Sequence, residues 1–468
     1  MAPSVLHDLS LADAAAAIRA GEVSSAEVTR HVLDRIAALE PRLHAFAEVR
    51  ADAALAEAAA ADARRARGEA LGALHGVPVA VKDLCAMAGT ATRAGGRFST
   101  GFAPSDTATV VTRLQDAGAI VVGKAQLTEG AWGTHHPDVT PPVNPWAPDR
   151  WTGSSSSGSG VAVAAGMAFG AIGSDTAGSI RFPSACNHLA GLKPTWGRVS
   201  RHGVFPLSET FDHVGPMART VLDVALMYAA IAGSDPLDPT SLVEPVGDPV
   251  AAARSGSLDG VRVGLDAAFA LANLDDATSA GMRAAIAHLE AAGAKIVDVT
   301  FPDVGPILEP ALLACFAEAA VAHAATYPSQ KERYGPAYVT LLEAGLATPA
   351  TAYASFAMRR RELRGRMQRL FEHADLLVVP VMPIQPLTIA EMAAVTVGPP
   401  LGAAPFMVYT IPFDITGNPT LTLPMGRSPE GAPLGFQLVG PHLGEEALLS
   451  AGAAYERAAG TADLRARC

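Results

Sequence analysis

Short β-branched runs alternate with stretches of helical periodicity through most of this chain, and no other feature limits its fold as tightly. The segments "GVPVAVKDL" (76–84), "AIVVG" (119–123), "VRVGLD" (261–266), "KIVDVTFPD" (295–303) and "LLVVPVMP" (376–383) read as strands. Between them "TATVVTRLQDAG" (107–118), "ATSAGMRAAIAHLEAAG" (277–293) and "ELRGRMQRLFEHAD" (362–375) carry the i, i+3, i+4 spacing of helices. Strand and helix in turn is the signature of an α/β fold. "NPTLTLPMG" and "LGFQLVGP" add late strands, and the tail is helical. Of the 468 residues 49% are hydrophobic and 17% charged, which is enough apolar side chain for one large core.

The first 68 residues differ, reading as helices alone. Ser10 with Asp13 and Ser24 with Glu27 have capping-box spacing, and an alanine-rich helix ends at Gly68. We expect one domain over 1–468, with an N-terminal helical region (1–68) and a core (69–468). No repeat or linker divides it. The net charge of −11, with no basic block, argues against nucleic-acid partners. Four cysteines (85, 186, 315, 468) fit neither a zinc site nor a disulfide framework, so reduced, buried thiols are expected. With no signal-peptide pattern and no run of about 18 uncharged apolar residues, a cytoplasmic protein without a membrane span is the expectation.

The chemistry-bearing candidates are few. Gly118-AIVV-Gly123-Lys124-Ala125 approaches a P-loop, but Ala125 has no hydroxyl for magnesium and the intervening residues form a strand. There is no HExxH and no GxSxG elbow, and His135-His136 sit in a Pro-rich loop where a surface or supporting role outweighs a metal site. "TGSSSSGSG" (152–160) has the composition of a linker, yet it runs straight into a small-residue apolar segment read as helical, and a second Gly-Ser step follows at Gly178-Ser179. Two Gly-Ser loops flanking one helix could supply a nucleophile and oxyanion donors. A base is then needed. Lys82 closes an apolar strand where desolvation would favour the neutral amine, although spacing alone gives better odds to a strand-end pair with Asp83.

Several motifs, in order, carry a resemblance. "HGVPVAVKDL", "NPWAPDRWTGSSSSGSG", "GSDTAGSIRFPSACNHLAGLKPTWGRVSRHG", "DHVGPMART" and "GNPTLTLPMG…PLGFQLVGP" together resemble the amidase signature family from about Leu71 to the end. The resemblance implies an α/β/α sandwich around a large mixed β-sheet. It also implies a Ser-cisSer-Lys triad: Lys82 as base, Ser155 as the relay serine after a cis peptide bond, and Ser179 as the acyl-forming nucleophile. The amides of Thr176, Ala177, Gly178 and Ser179 match the oxyanion hole, and Ser154, Ser156, Asp175, Arg181 and Asp212 match supporting positions. Ser154, Ser157 and Ala177 stand where the family pattern has glycine, so Ala177 must keep φ negative. The implied reaction is hydrolysis of an acyl C–N bond without metal or cofactor, by a monomer or homodimer acting on a small amide or carbamate. Apolar loops 134–143 and 390–413 would border the pocket, favouring neutral hydrophobic substrates such as anilides (aryl acylamidase activity) or urethanes (urethanase activity). Two alternatives stand beside this reading. One is the A subunit of a tRNA-dependent amidotransferase, against which Phe182 and His213 argue. The other is a non-catalytic scaffold, disfavoured because all three catalytic side chains are present.

Overall fold

The β-branched runs lie where their hydrophobicity puts them, inside one sheet. The structure is a computed structural model and describes residues 6–397, 404–462 and 464–466. Its strands are β1 (Phe46–Val49), β2 (Pro78–Lys82), β3 (Ile120–Ala125), β4 (Gly170–Asp175), β5 (Ala190–Lys193), β6 (His213–Ala218), β7 (Arg262–Leu265), β8 (Lys295–Asp298), β9 (Leu376–Pro380), β10 (Thr420–Arg427) and β11 (Pro433–Val439). They form an eleven-stranded mixed sheet in the order β1-β3-β2-β4-β6-β5-β10-β11-β9-β7-β8. Pairing is parallel for β2 with β3 and β4, and for β7 with β8 and β9. The remaining neighbours are antiparallel.

Every residue of β2, β3, β4, β6, β9 and β11 is buried. Successive residues of a strand face opposite sides, so helices must cover both faces. The α/β/α sandwich follows. The hairpin β10–β11 sits between β5 and β9 and so joins the two parallel portions of the sheet.

Two stretches depart from the expectation. The first is "FAEV", which forms β1 inside the N-terminal helical region and pairs antiparallel with β3, tying that region to the core sheet. Four residues between two strong helices give period-two alternation too little length to register. The second is the apolar segment after the serine cluster. It is a helix only over Ser157–Ala164 and then becomes β4. The capping boxes fare unequally. Ser24 and Glu27 bond reciprocally (3.1 and 2.8 Å), whereas the Ser10 hydroxyl accepts from the Asp13 amide without the return bond to the cap backbone. The helix Gly305–Ala322 is, among the described residues, the one long and apolar enough to cross a membrane. It is half buried, packed by the helices Pro336–Ala347 and Ala350–Leu370. Its Glu318 accepts hydrogen bonds from the Ser208, Thr210 and Tyr353 hydroxyls (2.7 Å each). Those contacts make it a core helix.

Candidate active site

Lys82 is the last residue of β2, and Ser174 and Asp175 are the last two of β4, its parallel neighbour. Parallel strands bring their C-terminal ends to one edge, where the loops of an α/β sheet gather functional groups. The helix Ser157–Ala164 begins at that edge, immediately after a cis peptide bond between Ser154 and Ser155. Its glycines allow close approach: a Cβ on Gly158 would lie 2.2 Å from the Ala45 carbonyl oxygen.

The Lys82 side chain is fully buried, and its Nζ donates to Ser155 Oγ (2.7 Å) and Ser174 Oγ (2.8 Å). Asp83 does not pair with it; that carboxylate lies 3.0 Å from Lys124 Nζ, both side chains being 0% exposed. Burial therefore dominates at Lys82 and pulls its ammonium down to about 7, against the weaker pull of Asp175 and Asp212. The nearby Cys85 thiol is pushed up to about 12 by burial and stays protonated. Cys85, Cys186 and Cys315 are free and buried, and Cys468 lies outside the described residues.

Around this contact the supporting residues fix backbone. Ser156 Oγ donates to the Ser174 carbonyl (3.2 Å) and accepts from its amide (3.3 Å), which clamps the serine loop to β4. The Ser156 amide also donates to the Ser179 carbonyl (3.4 Å), so the two Gly-Ser loops touch. Asp175 accepts from the amides of Gly178 (2.6 Å) and Ile180 (2.9 Å) and takes a two-pronged contact from Arg181 (2.8 and 3.0 Å). Burial would raise its pKa, but the Arg181 guanidinium prevails and holds the carboxyl below the usual range. Arg181 reaches on to Asp414 (2.5 Å) and the Thr410 carbonyl (2.8 Å), while Thr410 Oγ1 donates to the Ala177 carbonyl (2.6 Å). Asp212 accepts from Thr176 Oγ1 (2.5 Å) and from the Leu207 and Ser208 amides, and burial pushes its carboxyl up to about 6.

The loop 176–179 corrects one expectation. The Gly178 amide is occupied by Asp175 and is not available to an oxyanion. The amides of Thr176, Ala177 and Ser179 have no acceptor among the described residues. Gly178 has φ +128°, and a Cβ there would lie 2.4 Å from Phe182, so its role is conformational. Ala177 keeps φ negative, as its methyl requires.

Ser179 and Ser154 open onto a cavity of about 490 Å³. Trp151, Phe182 and Phe406 form a mutual ring cluster on one side (centroids 5.5–5.6 Å apart), and Trp132 faces from another. Thr134, His135, Pro137, Met392, Val395 and Met407 also line it, so both loops expected at the pocket reach it; residues 398–403 lie outside the described ones. Among the described residues no lining residue carries a formal charge. Among the described residues no cluster of three His, Cys, Asp or Glu is placed to hold a metal ion.

Sequence reasoning missed Ser174, Asp414, Thr410 and the contact between His135 and Ser157. Ser174 did leave a signal, a hydroxyl set two residues from Ile172 in a wholly buried strand. Asp414 and Thr410 are more than 220 positions from the loop they brace and left none.

The family model described as Amidase matches residues 27–449. The chain is 42% identical over 455 residues to AmiD of Mycobacterium tuberculosis, a protein named as an amidase, covering 97% of this chain and 95% of that one. It is 38% identical over 478 residues to the glutamyl-tRNA(Gln) amidotransferase A-chain of Chloroflexus aurantiacus, covering 97% of each. Among solved structures, the peptide amidase of Stenotrophomonas maltophilia superposes with a TM-score of 0.82 at 32% identity, covering 98% of this chain and 97% of that one.

Proposed function

Because the chain belongs to the amidase signature family, we propose that it hydrolyses acyl C–N bonds of neutral, largely apolar amides or carbamates through Lys82, Ser155 and Ser179. The observation that carries this reading is the 2.7 Å contact between a fully buried Lys82 amine, without a carboxylate partner, and Ser155 Oγ.

Neutral Lys82 accepts the Ser155 proton as Ser155 Oγ accepts that of Ser179. Ser179 Oγ attacks the carbonyl carbon, and the oxyanion is met by the free amides of Thr176, Ala177 and Ser179. Ser155 then protonates the leaving nitrogen from the Lys82 side, the C–N bond breaks, and an acyl-Ser179 ester remains. Water, deprotonated through the same relay, cleaves the ester and releases the acid. Asp175, Arg181, Ser156 and Asp212 act on backbone, holding the loops in register for these transfers.

The uncharged cavity supports a neutral substrate, with its aromatic cluster suited to a planar or aryl group. It also argues against a glutamine-feeding role, since free glutamine carries an ammonium and a carboxylate that the lining residues would leave unpaired. The test is a panel of p-nitroanilides, nitrophenyl carbamates and nitrophenyl esters, with free glutamine as comparator, offered to the purified chain alone. Turnover of neutral anilides or carbamates is expected, and Ser179→Ala should lower kcat by about 10⁴-fold or more with the fold retained. Turnover of glutamine alone, or unchanged rates in Ser179→Ala, would overturn the reading.

A further inference from the structure

The proposed relay leaves one titratable side chain in the cavity wall without a task. His135 lies in the loop after β3 and lines the cavity. Its Nε2 is within 3.1 Å of Ser157 Oγ. Ser157 is fully buried in the first turn of the helix that follows the relay serine, and the His135 ring is the hydrogen-bond partner its hydroxyl has among the described residues. The neighbouring His136 turns away, its Nδ1 accepting from the Asp138 amide (3.1 Å).

Burial alone pushes the His135 pKa down to about 4, with no charged group contributing. The imidazole is therefore neutral at neutral pH, with one nitrogen protonated and one carrying a lone pair. Nε2 is engaged by Ser157. Nδ1 has no hydrogen-bond partner among the described residues, and His135 lines the cavity. The rest of the cavity wall is mostly indole, phenyl, thioether and proline surface; its other polar side chains are the hydroxyls of Thr134, Ser154, Ser179 and Thr340, the last satisfied by its own helix (3.0 Å to the Pro336 carbonyl). A fixed polar atom in an apolar cavity discriminates strongly, because a substrate lacking its complement leaves it unpaired.

We propose that His135, held by Ser157, is a specificity-determining residue whose Nδ1 hydrogen-bonds a polar group of the substrate outside the scissile bond, so that the preferred substrates are apolar amides bearing one additional neutral hydrogen-bonding group. This rests on the hydrolase reading above. Ser157 is the positioning residue, acting only through the ring.

The test uses three neutral p-nitroanilides of equal acyl length: one unsubstituted, one with an acetamido group beside the scissile carbonyl, and one with it at the far end. His135→Phe should lower kcat/KM about tenfold for one of the acetamido substrates, chiefly through KM, and change the unsubstituted one less than threefold. His135→Asn, which keeps a donor and an acceptor, should recover part of the loss and guards against a misfolded Phe variant. Ser157→Gly should show the same substrate selectivity with a smaller loss, and adding it to His135→Phe should cost nothing further. Equal losses on all three substrates, no loss on either acetamido substrate, or multiplicative single-variant effects would overturn the proposal. Failure of the wild-type enzyme to turn over any of the three would instead defeat the hydrolase reading, and this inference with it.

Discussion

Lys82 and Lys124 occupy neighbouring parallel strands, one register step apart, and both are 0% exposed. They nonetheless serve opposite ends. Val81, not Lys82, is the register partner of Lys124, so the two amines leave opposite faces of the sheet. Lys124 meets the carboxylate of Asp83 and forms a buried ion pair; Lys82 meets only the hydroxyls of Ser155 and Ser174. Burial by itself therefore does not make a lysine a base. At Lys82, where no carboxylate lies beside the amine, desolvation lowers the pKa.

The comparison is broken most severely at Lys82. Lys82→Met should lower kcat/KM by about 10³-fold or more. In the wild type kcat/KM should rise through about pH 7, because the amine is an ammonium below its pKa of about 7 and neutral above it. In the variant that limb should vanish. The linkage runs the same way. A folded-state pKa below the unfolded value costs stability as pH falls from about 10.5 to 7, so the Met variant should melt no earlier than wild type at neutral pH. A surviving ascending limb in Lys82→Met would end the assignment of Lys82 as base.

Lys124→Met should do the reverse. It strands Asp83 in the core, and denaturant titration should show a loss of about 3–5 kcal/mol. The folded fraction should keep the wild-type pH profile, and adding Asp83→Leu should recover most of the loss, as removing both charges does for buried pairs. A changed pH limb in Lys124→Met would dissolve the division between the two lysines. The smallest effect is at Ser174. Its hydroxyl accepts from Nζ and so favours the ammonium. Ser174→Ala should move the ascending limb to lower pH while lowering the plateau by about tenfold at most, read from kcat/KM against pH; a shift to higher pH would contradict the geometry.

Period-two alternation already contained half of this comparison. Adjacent residues at a strand end face opposite sides, so Lys82 and Asp83 could not pair across the same face, and the strand-end reading of Lys82 could have been discounted from the sequence. What alternation could not show is that β3 would lie beside β2 and offer Lys124 to Asp83, because strand order is decided by contacts far apart in the chain. The strands "VAVK" and "AIVV" were legible because parallel central strands are apolar along their length. β1, β5 and β6 were not, being short or rich in Gly and Pro. Ser155, Ser156 and Asp175 were legible as motif positions, but the occupation of the Gly178 amide by Asp175 depends on how the loop turns. The loop 134–143 was expected at the pocket, but which of its residues would line it was not legible; only the fold brings His135 together with Trp132, Phe182 and Met407 around the cavity.

The place of the β10–β11 hairpin has a consequence for how the chain is made. Among the described residues, the strands β7, β8 and β9 reach the rest of the sheet only across β11 and β10, which follow them in the chain. Until residues near 439 have left the ribosome, β5 and β9 are open edges with no partner, and such edges invite pairing with other chains. Vectorial folding can build the β1-to-β6 layer early, with its lysine and serines in place. Closure of the sheet must wait for residues 420–439, and the bracing of the loop 176–179 for Thr410 and Asp414. A nascent chain stalled before Thr410 would thus hold Lys82, Ser155 and Ser179 yet lack the brace from Thr410 and Asp414, leaving two sticky edges for a chaperone to guard.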